Sequence, residues 1–310
     1  MLSLEKLSNS NLDRFKKLSS EKLNFETYDK DFFKYYESES FFSKILLKKF
    51  VKLFVHNEKV IGYIWYNVPF ENPIKVWSLY VMPAYVHLVE RNILQEFDNS
   101  MLLYEESNNE VTNGLLQKLG FKKYDETFLM KLNLMDSLKK DSTNLYNKIT
   151  KDKDILKYTN INKSKMPIID FRKFVIGKDE KIRCDLQNAI FQDKMRVEIE
   201  VVDIENDIKQ EYYIEELSIF ITLNNSPIGY GQVIYSREMY IVVNFGVTPE
   251  FRGKGFGELL LSHIINKCMD KKIKELYIRV DEKNLKAINL YEKCGFKYEY
   301  SIYNWRRENF

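Results

Sequence analysis

The sequence predicts a mixed α+β fold (α/β mixed) laid out twice along one chain, the first copy worn relative to the second. Three observations predict it. Apolar runs with a period of two alternate with amphipathic stretches of helical period. One such run, Tyr240 to Val247, stops at Pro249 and leads through the glycine-rich stretch Arg252-Gly253-Lys254-Gly255-Phe256-Gly257 into a helical segment, Phe256 to Met269. The same order of strand, proline, strand, helix and Gly-Phe turn recurs in weaker form nearer the N-terminus.

In the first copy, Phe50 to Val55 and Lys59 to Tyr66 read as a hairpin about His56-Asn57-Glu58. Ile74 to Val81 is a strand ending at Pro83, as Tyr240 to Val247 ends at Pro249. Met101 to Tyr104 is a further strand, and a helix then leads to Gly120-Phe121-Lys122-Lys123-Tyr124. Asn133 to about Lys165 is rich in Lys, Asp, Asn, Ser and Thr. It carries apolar Leu138, Leu145, Ile149, Ile155 and Leu156, which favours a helical connector over a disordered linker.

The second copy begins near Met166 with a strand, Ile168 to Ile176, and helices at Lys181 to Phe191 and Asp203 to Gln210. Leu217 to Leu223 and Ile228 to Tyr235 form a hairpin about Asn224-Asn225-Ser226-Pro227. After the helix Phe256 to Met269, Glu275 to Val280 alternates as a strand. Asp281-Glu282-Lys283-Asn284 then starts a helix that carries Ala287, Ile288, Tyr291 and Cys294 and ends at Gly295, before a last strand, Phe296 to Tyr303. The expected domains are 1–133, a connector at 134–165, and 166–310.

The whole chain bounds the function. Its 310 residues suffice for two cores, and a net charge of +3 with both signs mixed argues against a dedicated nucleic-acid or membrane partner. Three cysteines, Cys184, Cys268 and Cys294, and three histidines are scattered without metal-ligand spacing, so no metal is expected, and Cys268 and Cys294 read as core residues. The N-terminus lacks an apolar leader and no apolar run nears membrane length, so a cytoplasmic location is expected.

The glycine-rich stretch carries the chemistry. A strand running into a glycine turn and a helix gathers backbone N–H groups and a helix dipole around a phosphate. The loop is not a Walker loop, because Gly255 follows Lys254, and its glycines do not follow the dinucleotide spacing.

Read as Arg252-x-x-Gly255-x-Gly257, the loop resembles the acetyl-CoA pyrophosphate loop of the GCN5-related N-acetyltransferase (GNAT) superfamily. Asn284, Tyr291 seven residues later, and Gly295-Phe296 fall in the order of that family's strand–helix–strand unit. The resemblance covers the second half strongly and the first half weakly. It implies two tandem GNAT-like domains, each a mixed, mostly antiparallel twisted sheet flanked by helices.

It further implies acetyl transfer from acetyl-CoA, as co-substrate, to a primary amine of a small molecule or peptide. The implied cofactor contacts are Phe245, Gly246, Val247, Arg252, Gly253, Lys254, Gly255, Phe256, Gly257, Glu258 and Asn284. Tyr291 is the implied general acid, and the N–H of Val247 the implied donor to the thioester carbonyl. Some family members place a Glu on the fourth strand where this chain has Ile241. Glu238, Tyr240, Asn244, Glu215 and Glu216 are the polar alternatives, and spacing singles out none. Tyr212, Tyr213, Tyr230, Tyr235, Tyr303 and Trp305 are candidates to line the acceptor pocket. A non-catalytic acyl-CoA binder or scaffold remains the alternative.

Aligning Gly120 with Gly295 sets Asn109 against Asn284 and Leu116 against Tyr291, so the first copy lacks the hydroxyl. It also lacks the loop: Ala84 to Arg91 contains no glycine, and Pro83 to Gly120 spans 37 positions against 46 from Pro249 to Gly295. The first copy is therefore expected not to bind the cofactor. A cap over the cleft or a homodimer contact are the roles left to it.

Overall fold

The computed structural model describes residues 2–23, 29–67, 73–107, 110–135, 143–151, 167–192 and 197–308. The chain divides into two compact units. The first comprises Met1–Phe128 together with Tyr300–Phe310, and the second Leu129–Glu299.

In the first unit the elements run β1 (Leu2–Lys6), α1 (Leu12–Leu23), α2 (Phe32–Ser38), α3 (Phe41–Lys49), β2 (Val51–His56), β3 (Lys59–Asn67) and β4 (Ile74–Val81). Two short 3-10 helices, Pro83–Leu88 and Arg91–Phe97, lead to β5 (Leu102–Ser107) and α4 (Glu110–Lys118), and β6 (Lys122–Asn133) runs on past the division. The hairpin about Asn57 and Glu58 forms as expected, both residues holding the left-handed backbone that a two-residue turn requires. β1 to β4 pair antiparallel, and β4 pairs parallel with β5.

Two apolar layers cover this sheet. Phe15 and Leu18 of α1 and Phe32 and Phe33 of α2 pack on Leu53, Tyr63 and Trp65. Leu115, Leu116 and Leu119, around the end of α4, pack on Ile64, Val76 and Tyr104 of the other face.

The chain's last strand departs from the expected division. Residues Ile302–Arg307 pair antiparallel with β5, and Trp305 is 4% exposed within the first unit's core. Arg307 is 1% exposed, with Nε donating to the Leu119 carbonyl at 3.0 Å and Nη2 to Asp98 at 2.6 Å. These two bonds hold the buried guanidinium in place. Tyr303 and Trp305 therefore belong to the first unit and not to an acceptor pocket in the second.

In the second unit, Leu129–Asn133 of β6 precede α5 (Thr143–Thr150), the described part of the expected helical connector. Leu138, Ile155 and Leu156 lie outside the described residues. Then come β7 (Ile169–Lys173), α6 (Glu180–Ile190), α7 (Val201–Asp207), β8 (Tyr213–Leu223), β9 (Ser226–Ser236) and β10 (Met239–Val247). α8 (Phe256–Asp270), β11 (Glu275–Asp281), α9 (Leu285–Lys293) and β12 (Lys297–Arg307) complete the order. β7 to β10 pair antiparallel and β10 pairs parallel with β11. The element order matches the one read from the sequence, with boundaries shifted by a few residues.

Helices cover both faces of this sheet. Leu259, Leu260, Leu261, Ile264, Ile265 and Cys268 of α8 are all at or below 2% exposed. Ile190, Ile204, Phe220 and Tyr230 share a second cluster with α6 and α7. Cys268 and Cys294 are buried core residues, and burial pushes the Cys268 thiol up to about 12. No helix among the described residues is long and apolar enough to cross a membrane.

Candidate functional site: a cleft at the splayed strands

β10 and β11 pair through only two residues, Ile241 with Tyr277 and Val242 with Ile278. Beyond Val242 the strands part. The β9–β10 register shifts between Val243 and Gly246, where Asn244 takes a positive φ of 52°. The parted strands open a cleft of about 1090 Å³. Phe245, Gly246, Val247, Arg252, Gly253, Lys254, Gly255, Gly257, Glu258, Asn284 and Tyr291 all line it. Eleven of the twelve residues assigned from sequence thus face one space. The twelfth, Phe256, is 0% exposed and packs edge-to-face on Phe251, so only its backbone can serve the cleft.

The glycine loop meets the requirements of an anion site. Gly255 is the N-cap of α8 with φ of 92°, a conformation that side chains disfavour, and no side chain caps this helix. The first-turn N–H groups of an α-helix have no intrahelical acceptor, so those of α8 are left for a ligand. A β-carbon at Gly253 would meet nothing within 4 Å, so this backbone stands open. Gly246 answers a different need. A β-carbon there would lie 2.5 Å from Ile190 Cγ2, so glycine admits α6 against β10.

Arg252 acts as a strut. Its Nε donates to the Val247 carbonyl at 3.2 Å and its Nη2 to the Ile190 carbonyl, tying the loop to β10 and to the end of α6. Lys254 Nζ donates to the Glu250 carbonyl. Glu258 pairs with Lys293 of α9 at 2.6 Å. Asn284 caps α9, its Oδ1 accepting from the Ala287 N–H at 3.2 Å, and also lines the cleft.

On the side of β10 that is paired with β9, Thr248 N–H donates to the Ile228 carbonyl of β9. Alternation along an extended strand turns the backbone groups of Val247 the other way, toward the splay. Tyr291 is 7% exposed, stands 6.1 Å from Phe245 ring to ring, and its hydroxyl has no protein partner among the described residues. Burial, and the Cys294 thiol beside it, push its pKa up to about 12.

No base emerges. Ile241 is core, Glu238, Tyr240, Glu215 and Glu216 do not line the cleft, and Glu216 pairs with Lys271 at 3.4 Å. Asn244 does line it. Tyr212, Tyr213, Tyr230 and Tyr235 do not. Tyr230 is fully buried and donates to Gln232 at 2.7 Å, and Tyr212 donates to Asp207 at 2.7 Å, within a polar network held by Arg183. Among the described residues no group of His, Cys, Asp and Glu is placed to hold a metal ion.

The corresponding splay in the first unit is filled. β4 and β5 pair from Ile74 to Val76 and then part. Residues Asp29 and Lys30 enter there: Lys30 N–H donates to the Trp77 carbonyl at 3.2 Å, Leu79 N–H to Asp29 at 3.2 Å, and Tyr104 hydroxyl to Asp29 at 2.7 Å. Lys22 makes a buried ion pair with Asp29 and donates to the Leu79 carbonyl at 2.9 Å. Short 3-10 turns stand where the second unit has the fifteen-residue α8. Asn109, the counterpart of Asn284, lies outside the described residues.

The sequence profile of the acetyltransferase (GNAT) family matches residues 187–296. Those residues match a GNAT domain. Curated relatives agree: a [ribosomal protein bS18]-alanine N-acetyltransferase of Haemophilus influenzae is 34% identical over 80 residues, covering 26% of this chain and 54% of that protein. An acetyltransferase of Yersinia pestis is 28% identical over 101 residues, 33% of this chain and 70% of that one. The chain thus spans about half the length of the first of these relatives.

Solved structures extend the likeness in fold to both units. A GCN5-related N-acetyltransferase from Sphaerobacter thermophilus superposes with a TM-score of 0.66 at 14% identity, over 99% of this chain and 95% of that one. A tandem GNAT protein from the clavulanic acid biosynthesis pathway does so at 0.60 and 10% identity, over 99% and 98%. The fold is that of two tandem GNAT-like domains, each a mixed, mostly antiparallel sheet flanked by helices.

Proposed function

We propose that the second unit is an acetyl-CoA-dependent N-acetyltransferase whose acceptor is the primary amine of a small molecule or peptide. One observation carries this reading: an uncapped glycine loop, the free edge of β10 and a tyrosine hydroxyl share a single cleft. The open backbone at Gly253 fits a pyrophosphate, and the parted strands leave backbone groups from Phe245 to Val247 for the pantetheine arm. The Haemophilus relative's name supports a peptide amine among the acceptors.

Acetyl-CoA, when bound, supplies an acetyl thioester. The loop N–H groups hold the anionic end, and Arg252 keeps that loop fixed to β10. Val247 N–H is placed to donate to a carbonyl oxygen on which charge develops. As the amine's C–N bond forms and the C–S bond breaks, the amine loses a proton to water. Tyr291, protonated at neutral pH, gives a proton to sulfur and regains it from solvent. With the first copy's splay filled by Asp29 and Lys30, each chain carries one cofactor site in this reading.

Calorimetry tests it. Acetyl-CoA should bind at one site per chain and be lost in Gly255→Glu, whose carboxylate adds bulk and like charge at the loop. A screen of amines should then find turnover. A chain that binds no acetyl-CoA overturns the reading, and two sites overturn the account of the first copy.

A further inference from the structure

The connector helix α5 lies outside the residues that match the GNAT profile, yet it reaches the glycine loop. Leu145 Cδ1 and Ile149 Cδ1 each stand 3.0 Å from the place a Gly255 β-carbon would take. These two residues are one helical turn apart and share a face. Ile149 is 2% exposed and Thr150 3%, so the helix is docked and not merely passing.

Lys148, next to Ile149, is exposed and lines the cleft. It has no hydrogen bond or ion pair among the described residues. Of the cations along the loop, Arg252 holds two backbone carbonyls, Lys254 the Glu250 carbonyl and Lys293 pairs with Glu258; Lys286 of α9 also lines the cleft. An uncapped helix N-terminus, an apolar cover that sheds water from it and an unpaired ammonium at its edge together favour a phosphorylated ligand.

We infer that α5 forms a wall of the cleft's phosphate end and that Lys148 binds a phosphate group of the cofactor there. This rests on the reading of the cleft as the acetyl-CoA site. Gly255 then serves twice, presenting backbone to the ligand on one side and admitting Leu145 and Ile149 on the other.

The test is binding of CoA, dephospho-CoA and pantetheine to the full chain and to Lys148→Ala and Lys148→Arg. In Lys148→Ala the Kd for CoA should rise about tenfold, the loss of one charge-assisted bond, with a shallower salt dependence. Lys148→Arg should restore most of the affinity, and pantetheine should bind all three proteins alike. Dephospho-CoA locates the contact: if it loses as much as CoA, Lys148 meets the pyrophosphate, and if it is insensitive, Lys148 meets the 3′-phosphate. Hydrogen exchange at residues 143–150 should slow when CoA binds. Unchanged CoA affinity in Lys148→Ala, with binding still lost in Gly255→Glu, overturns this inference alone. A wild-type chain that binds none of the three takes the underlying reading with it.

Discussion

The backbone N–H of Leu79 donates to Oδ2 of Asp29 at 3.2 Å. With Val81 and Pro83 aligned on Val247 and Pro249, Leu79 is the counterpart of Phe245, whose backbone faces the open cleft. The same strand edge is thus closed by the chain's own carboxylate in one copy and left for a ligand in the other.

That closure makes the Asp29 site structural. Lys22 and Asp29 have side chains 7% and 4% exposed. Asp29→Ala leaves the buried ammonium uncompensated and should cost about 3–5 kcal/mol. Chemical denaturation of the full chain measures it. The variant should gain no second acetyl-CoA site, because the first copy still lacks an equivalent of α8.

Tyr291→Phe separates chemistry from binding. It removes the hydroxyl and keeps the packing against Phe245 and Phe296. kcat should fall about tenfold or more with the Kd of acetyl-CoA nearly unchanged. Equal turnover in wild type and variant would remove Tyr291 from the mechanism.

The raised pKa of Tyr291 gives a pH signature. A free tyrosine ionises near 10, and burial moves this one up to about 12, so the acid form persists through the accessible alkaline range. The log kcat profile should show no downward break near pH 10. A break there that disappears in Tyr291→Phe would contradict the burial argument.

Gly246→Ala places a methyl 2.5 Å from Ile190 Cγ2. The overpacking should cost about 1–3 kcal/mol and weaken cofactor binding by displacing the end of α6. Pairing it with Ile190→Ala should recover part of the binding. Thermal melts and calorimetry on the three variants read both effects.

Arg252→Lys should raise the Kd for acetyl-CoA without changing its salt dependence. The guanidinium spans two carbonyls, a geometry an ammonium cannot reproduce, while its charge lies in the strut and not on a ligand. A reduced salt slope would make Arg252 a phosphate ligand instead.

The second copy was legible because its signals are local. The proline at 249, the three spaced glycines, and Asn284 and Tyr291 two turns apart on one helix fix the cleft from short-range spacing. The unread features depend on distant partners. Leu145 and Ile149 announced a helix but could not announce Gly255, more than a hundred positions away. Asp29 and Lys30 carry no pattern that points to β4. Trp305 was read as a candidate for the second copy's acceptor pocket, yet the strand edge it joins belongs to the first. Arg252 shows a further limit: its spacing marked the motif, but only the geometry makes it a strut.

The placement of Ile302–Arg307 on β5 carries a consequence for how the protein is made. Synthesis runs from the N-terminus, and leading domains ordinarily fold while the ribosome is still at work. Here residues 1–128 must wait for β12, on the far side of the second unit in sequence, since Trp305 fills their core and Arg307 is buried against Leu119. The first unit is thus sealed by a strand synthesised only after the whole of the second, and the two units mature in the reverse of the order in which they begin.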